Sequence, residues 1–217
     1  ASDVYKRQTL YNTYSFFSLY ANIDGFKNEE NTILLIERNE LDRWILSELN
    51  SLIKVVDSCY QDYEPTKAAR SISDFVQEKL SNWYVRLSRR RFWKGNYEKD
   101  KIAAYQTLFE CLLETSKLIA PIAPFFGDFL YKNLTENTFS EKFESVHLSD
   151  FPSAKKEFID IHLESQINKA RNITSLALSL RKKEQIKVRQ PLETLMIAVN
   201  SCLLYTSDAA DEGLGVD

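Results

Sequence analysis

The stretch SNWYVRLSRRRFWKG, Ser81–Gly95, gathers Arg86, Arg89, Arg90, Arg91 and Lys94 into nine positions with no acid among them. Three consecutive arginines repel one another unless an anion relieves them, and planar guanidinium forks fit phosphate oxygens well. Trp83, Tyr84, Phe92 and Trp93 flank the run, and such rings can stack on the unpaired bases of a single-stranded loop. The chemistry on offer is anion binding, not bond making. The alternative is a solvated helix face whose arginines pair with acids elsewhere in the fold. A second cluster, SLRKKEQIKVRQP at Ser179–Pro191, supplies Arg181, Lys182, Lys183, Lys187 and Arg189 against Glu184 alone. Two basic patches lean towards a folded RNA.

No residue qualifies as catalytic. The sequence has no GxGxxG, no GxxxxGK[ST] and no HExxH, the patterns that cradle phosphates or hold a catalytic zinc. The acid pairs Glu29/Glu30 and Asp62/Glu64 fall in connector or helix-end sequence and read as solvated. His147 and His162 read as surface or packing residues, and Cys59 and Cys111, on apolar stripes, as small core hydrophobes. Three cysteines without a CxxC pair make neither a disulfide framework nor a zinc site. No metal and no cofactor is therefore expected in this chain. With 28 Lys+Arg against 31 Asp+Glu the formal charge is −3, so a polyanion would have to be met by a local patch. No apolar run approaches a membrane span, and the start lacks a signal-peptide pattern. The expected setting is a reducing cytoplasm, with no membrane partner.

The elements that must position these residues are helices. Gly and Pro number only five each, far below their usual frequencies. Leu10, Tyr14, Phe17 and Tyr20 recur at helical spacing in the aromatic segment Thr9–Ala21. After a polar connector, Asn39 reads as a cap with Asp42 at the third position. From there Leu41, Ile45, Leu49, Leu52, Val56 and Tyr60 predict a helix over Glu40–Gln61, its buried face widened by Trp44 and Val55. Pro65 suits a first helical turn. Ile72, Phe75, Val76, Leu80, Trp83 and Leu87 follow it at steps of three and four, placing Trp83 in the core and Arg86, Arg89 and Arg90 on the opposite side. Gly95 is expected to end that helix. Asp100–Ala120 carries a third long stripe, which Pro121 and Pro124 break, and Phe125, Phe129, Leu130 and Leu134 suggest a short last helix. Four amphipathic segments that cannot bury their own faces predict an all-α antiparallel bundle, Thr9 to Ser149, with Ser140–Ser153 as a loop. Residues 150–201 read as the start of a further, incomplete α+β segment: helical periodicity over Lys155–Glu184, then a strand at Leu192–Val199.

The ends differ from this pattern. Ala1–Gln8 and Cys202–Asp217 resemble translations of a sequencing-library adapter, and both are set aside from the fold as artefactual. Without them, bases and acids balance.

Five blocks carry a resemblance: LYNTYSFFSLYANIDGF (Leu10–Phe26), LDRWILSELNSLI (Leu41–Ile53), YEPTKAARSISDFVQEKLSNWYVRLSRRRFWKG (Tyr63–Gly95), DKIAAYQTLFECLLETSKLIAPIAPFFGDFLY (Asp100–Tyr131) and LRKKEQIKVRQPL (Leu180–Leu192). They cover about half of the chain, in order, and resemble the isoleucyl-tRNA synthetase family in the region that follows its catalytic domain. Valyl-tRNA synthetase has a related helical domain, but NWYVRLSRRRFW is more similar to the isoleucyl enzyme. The resemblance implies a class I aminoacyl-tRNA ligase that, when whole, uses ATP and Mg to activate isoleucine and pass it to its tRNA. This chain shows no HIGH-type tetrad, no KMSKS-type loop and no editing domain, so it is expected to be inactive by itself. It resembles the anticodon-binding bundle and the start of the C-terminal junction. Carried across, Arg86, Arg89, Arg90, Arg91, Trp93 and Lys94 lie in the block on the anticodon stem-loop side. The partners implied are isoleucine tRNA and a catalytic domain in cis, in a monomer. A helical packing module that does not touch RNA is the competing reading.

Overall fold

A computed structural model of the 217-residue chain describes residues 2–28, 32–94, 96–136 and 143–197, without the side chains of 2–7. It divides into two compact units, one ending at Ile161 and the other beginning at His162.

The first unit is an all-α bundle. Helix α1 (Ser2–Asp24) buries Leu10, Thr13, Phe17 and Ala21, one line at helical steps. The chain then passes through a single 3-10 turn at Leu35–Glu37 into α2 (Glu40–Gln61), where the Asn39 side chain accepts from the Leu41 N–H at 3.0 Å. Capping by that oxygen satisfies one of the donors that the first turn leaves open. From Asp42 to Asn50 every residue of α2 except half-buried Arg43 is buried, so α2 is a central helix, wrapped on all sides. Val55, in contrast, is exposed.

Tyr63, in the left-handed region at φ 57°, turns the chain into α3 (Pro65–Asp74). Pro65 occupies the first turn, as expected. The helix does not continue in α geometry. Phe75–Val85 is a π segment, followed directly by α4 (Arg86–Trp93). A wider turn with i→i+5 bonding slows the rotation of side chains along the axis, and the buried line shifts with it. Tyr84, Val85, Ser88 and Phe92 are buried, whereas Trp83 is half-buried and Leu87 exposed. That corrects the placing of Trp83 in the core.

Helix α5 (Lys99–Ile119) is the second central element, with Ala103–Phe109, Cys111, Leu112 and Leu118 buried. It packs against α1, α2, α3 and α4. Helix α6 (Pro124–Thr135) folds back on it across the Pro121/Pro124 break. At the closest approach a Cβ on Gly127 would stand 3.0 Å from the Ser116 carbonyl oxygen and 3.1 Å from the Ala120 Cα. Phe125 faces away and is 91% exposed.

The connectors are fastened to the central helices. Buried Arg38 donates to the Ile33 carbonyl (3.0 Å) and to Thr107 Oγ1 (2.9 Å), while Gln106 Oε1 accepts from the Ile33 N–H (3.0 Å). Further along, the Lys155 N–H donates to Asn50 Oδ1 and the Asp160 N–H to Ser47 Oγ, each at 2.8 Å. These buried polar side chains of α2 and α5 satisfy loop backbone that would otherwise lose its water partners.

The second unit contains all but the first residue of α7 (Ile161–Lys183), most of whose residues are exposed. The strand expected at Leu192–Val199 is not formed: residues 192–197 are irregular, and Ala198 and Val199 lie outside the described residues. β-branched and apolar residues make a strand only against a hydrogen-bonding neighbour, and no strand is present among the described residues. Gly95 and the tail from Cys202 also fall outside them.

Candidate nucleic-acid interface

The π segment decides which arginines reach solvent. In an α-helix running from Tyr84, positions 88, 91 and 92 return to the same side, so Arg91 is carried inward beside Ser88 and Phe92. Its guanidinium closes on two acids. Nη1 and Nη2 donate to Asp42 Oδ1 and Oδ2 at 2.8 Å each, a bidentate pair. Nε donates to Asp100 Oδ2 at 2.8 Å, and Nη2 to Asp100 Oδ1 and its carbonyl oxygen at 2.9 Å. The Tyr84 hydroxyl donates to Asp42 Oδ1 at 2.7 Å. Asp42 is fully buried and the Arg91 side chain 15% exposed. Both acids lie in first helical turns, Asp42 of α2 and Asp100 of α5, where the helix dipole also favours negative charge.

Burial opposes the charge on Arg91, but the hydrogen bonds and charge of Asp42 outweigh it and hold the guanidinium above its ordinary pKa. Burial, reinforced by the Asp42 charge, pushes the Tyr84 phenol well above its usual range. The node therefore joins a protonated tyrosine and a charged arginine through the Asp42 side chain. Unlike the other bases of the run, Arg91 has Nε, Nη1 and Nη2 all engaged by the two acids.

The other bases remain outside. Arg86, Arg89, Arg90 and Lys94 are exposed, and Trp93 is 51% exposed. The Arg89 guanidinium lies 5.7 Å over the Phe16 ring, and Phe16 meets Phe92 edge-on at 5.3 Å. Phe92 in turn meets Tyr105 edge-on at 5.1 Å. Lys94 Nζ stands 5.2 Å over the Trp93 ring. Such cation–π contacts steady long side chains without removing their charge. What results is a basic helix end with one accessible indole, backed by aromatic packing on α1 and α5.

The second cluster is also divided. Arg181 Nη1 donates to the carbonyl oxygens of Lys187 (3.0 Å), Val188 (3.4 Å) and Gln190 (2.8 Å), folding the turn that follows α7. Gln185 ends the helix at φ 56°, with the Ile186 N–H donating to the Arg181 carbonyl at 2.8 Å. Lys182, Lys183, Lys187 and Arg189 are exposed around that turn.

Elsewhere the chemistry is thin. His147 and His162 are exposed, Cys59 is half-buried and Cys111 fully buried, both as free thiols. Burial pushes the Cys111 thiol well above its usual pKa. Among the described residues no group of His, Cys, Asp and Glu is arranged to hold a metal, and no helix is long and apolar enough to cross a membrane.

Sequence reasoning missed Asp42, Tyr84 and Asp100 as partners of the arginine run. One signal was available: Asp42 lies between Leu41 and Trp44 on an otherwise apolar helix face, where an acid needs a buried cation.

Residues 42–196 match the family described as the anticodon-binding domain of tRNA ligase. The chain is 57% identical over 191 residues to an isoleucine–tRNA ligase of Bacteroides thetaiotaomicron, covering 88% of this chain and 16% of that protein. It is similar to the isoleucine–tRNA ligases of Porphyromonas gingivalis, 58% identical over 87% of this chain and 16% of the relative, and Clostridium novyi, 42% identical over 96% and 20%. The chain thus spans about a sixth to a fifth of the length of these relatives.

Proposed function

Since this chain belongs to the anticodon-binding domain family of tRNA ligases, we propose that it is the tRNA-binding, anticodon-side part of an isoleucine–tRNA ligase. The observation that carries the reading is the solvent-facing set Arg86, Arg89, Arg90, Trp93 and Lys94, on a chain whose family is named for binding the anticodon. The guanidinium forks of Arg86, Arg89 and Arg90 and the ammonium of Lys94 bind phosphates of the anticodon stem, and Trp93 offers a face to an unpaired base. Lys182, Lys183, Lys187 and Arg189 form a second phosphate-binding turn, with Arg181 shaping it.

The same reading extends to the whole enzyme. ATP with Mg activates isoleucine there, in a catalytic domain that shares a monomeric, cytoplasmic polypeptide with this one. The bundle occupies residues 9–149, and residues 150–201 begin the junction.

The test is affinity for an isoleucine tRNA transcript against potassium concentration, for wild type and single alanine variants of Arg86, Arg89, Arg90 and Lys94. Each variant should weaken binding to cognate and non-cognate tRNA about equally and lower the salt slope by roughly 0.7–0.9. Trp93→Ala should weaken binding with no change in slope. Wild-type affinity and slope in all the base-to-alanine variants would reject the RNA reading in favour of a packing surface.

A further inference from the structure

Arg91 lies in the middle of the basic run and yet turns its back on solvent. We propose that Arg91 is a positioning residue for tRNA binding, one that never touches RNA but sets the helix face that does. The proposal rests on the tRNA-binding reading above.

Three features of the structure converge on it. The first is engagement at every nitrogen: Nε, Nη1 and Nη2 of Arg91 all donate to Asp42 or Asp100, at 2.8–2.9 Å. The second is reach. The node ties α4 to the first turns of α2 and α5, and through the Tyr84 hydroxyl to the π segment. The third is the small buried face of α4, whose other inward anchor is Phe92 against Phe16 and Tyr105. This helix has eight residues, only Ser88 and Phe92 of them are buried, and it follows a π segment of eleven residues.

Successive α-helical residues are about 100° apart. With Arg91 locked inward, Arg90 falls about 100°, Arg86 about 140° and Arg89 about 160° away from it around the axis, which is the outer half of the helix. A lysine in place of Arg91 would keep the charge but lose the fork that grips two carboxylates at fixed angles. The rotation of α4 would then be loosely held, and the outer bases would meet phosphates in the wrong geometry.

The charge signs provide a discriminating test. Asp42→Asn removes a negative charge from the neighbourhood of the basic face, so simple electrostatics predicts tighter RNA binding. Positioning predicts weaker binding. The experiment measures isoleucine tRNA transcript binding against potassium concentration for the 217-residue chain and its R91K, D42N and Y84F variants, with circular dichroism melts run alongside. R91K and D42N should each bind about tenfold more weakly at a temperature where they are folded, with the wild-type salt slope. Y84F, which loses one donor to Asp42, should show a smaller loss with the same slope. A slope lowered by roughly 0.7–0.9 in R91K would make Arg91 a direct phosphate contact and overturn the proposal. Unchanged or tighter binding by folded D42N would overturn it as well. If R91K and D42N do not fold, Y84F decides, and wild-type affinity in Y84F overturns the proposal. The R86A, R89A and R90A variants separate the two levels: if they weaken binding while the node variants do not, only the positioning role fails.

Discussion

Ser88 is fully buried, and its Oγ has no hydrogen-bond partner among the described residues. A hydroxyl taken from water without compensation destabilises a fold by about 1–3 kcal/mol. Ser88→Ala keeps the small volume and removes the orphan, so it should stabilise the chain by about 1 kcal/mol; a lower melting temperature would show that the hydroxyl is satisfied in solution. Asp128 is the opposite case. The Lys132 ammonium at 2.7 Å, the Ser145 hydroxyl at 2.6 Å and the Val146 N–H at 3.1 Å lower its carboxyl to about 2. A carboxyl depressed in the folded state adds stability above its unfolded pKa, near 4, and that stability is lost as pH falls towards 2. The stability difference between wild type and Asp128→Asn should therefore shrink between about pH 5 and pH 2. Parallel acid-unfolding curves would mean that the loop at Ser145–Ser149 is not held by this carboxylate.

At the scale of elements, the π segment is the feature with dynamic consequences. π turns are rare and mostly a single turn long, so a run of eleven such residues should open locally more easily than the α-helices beside it. Hydrogen–deuterium exchange followed by mass spectrometry should find Phe75–Val85 exchanging faster than Ala103–Leu113 of α5; equal protection would mean that the segment is as rigid as its neighbours. This element also explains what the sequence concealed. The bounds of α2, the Pro65 start and the Pro121/Pro124 break were legible because each is set by a local signal: a capping Asn or a proline. The π register was not, because tertiary packing selects it, and a step-of-three-and-four reading therefore put Trp83 where Tyr84 belongs. The same shift hid the inward turn of Arg91, so the outer half of the site could be read from composition while its inner anchor could not. The unformed strand at residues 192–197 fails for a related reason. Strand propensity describes a surface that fits a neighbour, and the sequence of one segment does not supply that neighbour.

For the molecule as a whole, charge and length point the same way. A chain of formal charge −3 has no global attraction for a polyanion, so its RNA affinity should rest on a few named bases and collapse steeply with salt. Adenylate chemistry depends on groups placed around the transferring phosphorus, and none was found in the sequence. The purified chain should give no isoleucine-dependent pyrophosphate exchange above a buffer blank; exchange that co-purifies with the chain would place catalytic groups inside it. Among the described side chains of α1, which start at Gln8, the first buried one is Leu10. Removing Ala1–Gln8 together with Cys202–Asp217 should accordingly leave the melting temperature essentially unchanged, and a fall of several degrees would make one of those ends part of the fold.

The close approach of α5 and α6 at Gly127 bears on how this domain can vary. There a methyl group would press on the Ser116 carbonyl and the Ala120 backbone, neither of which can swing aside. Two residues earlier, the Phe125 ring is almost entirely in solvent. In a saturation library selected for folded protein, codon 127 should return glycine almost alone, while codon 125 should drift freely. The hairpin therefore has a vacancy of one hydrogen atom at its pivot, and descendants of this sequence could repaint its outer surface while inheriting that vacancy unchanged.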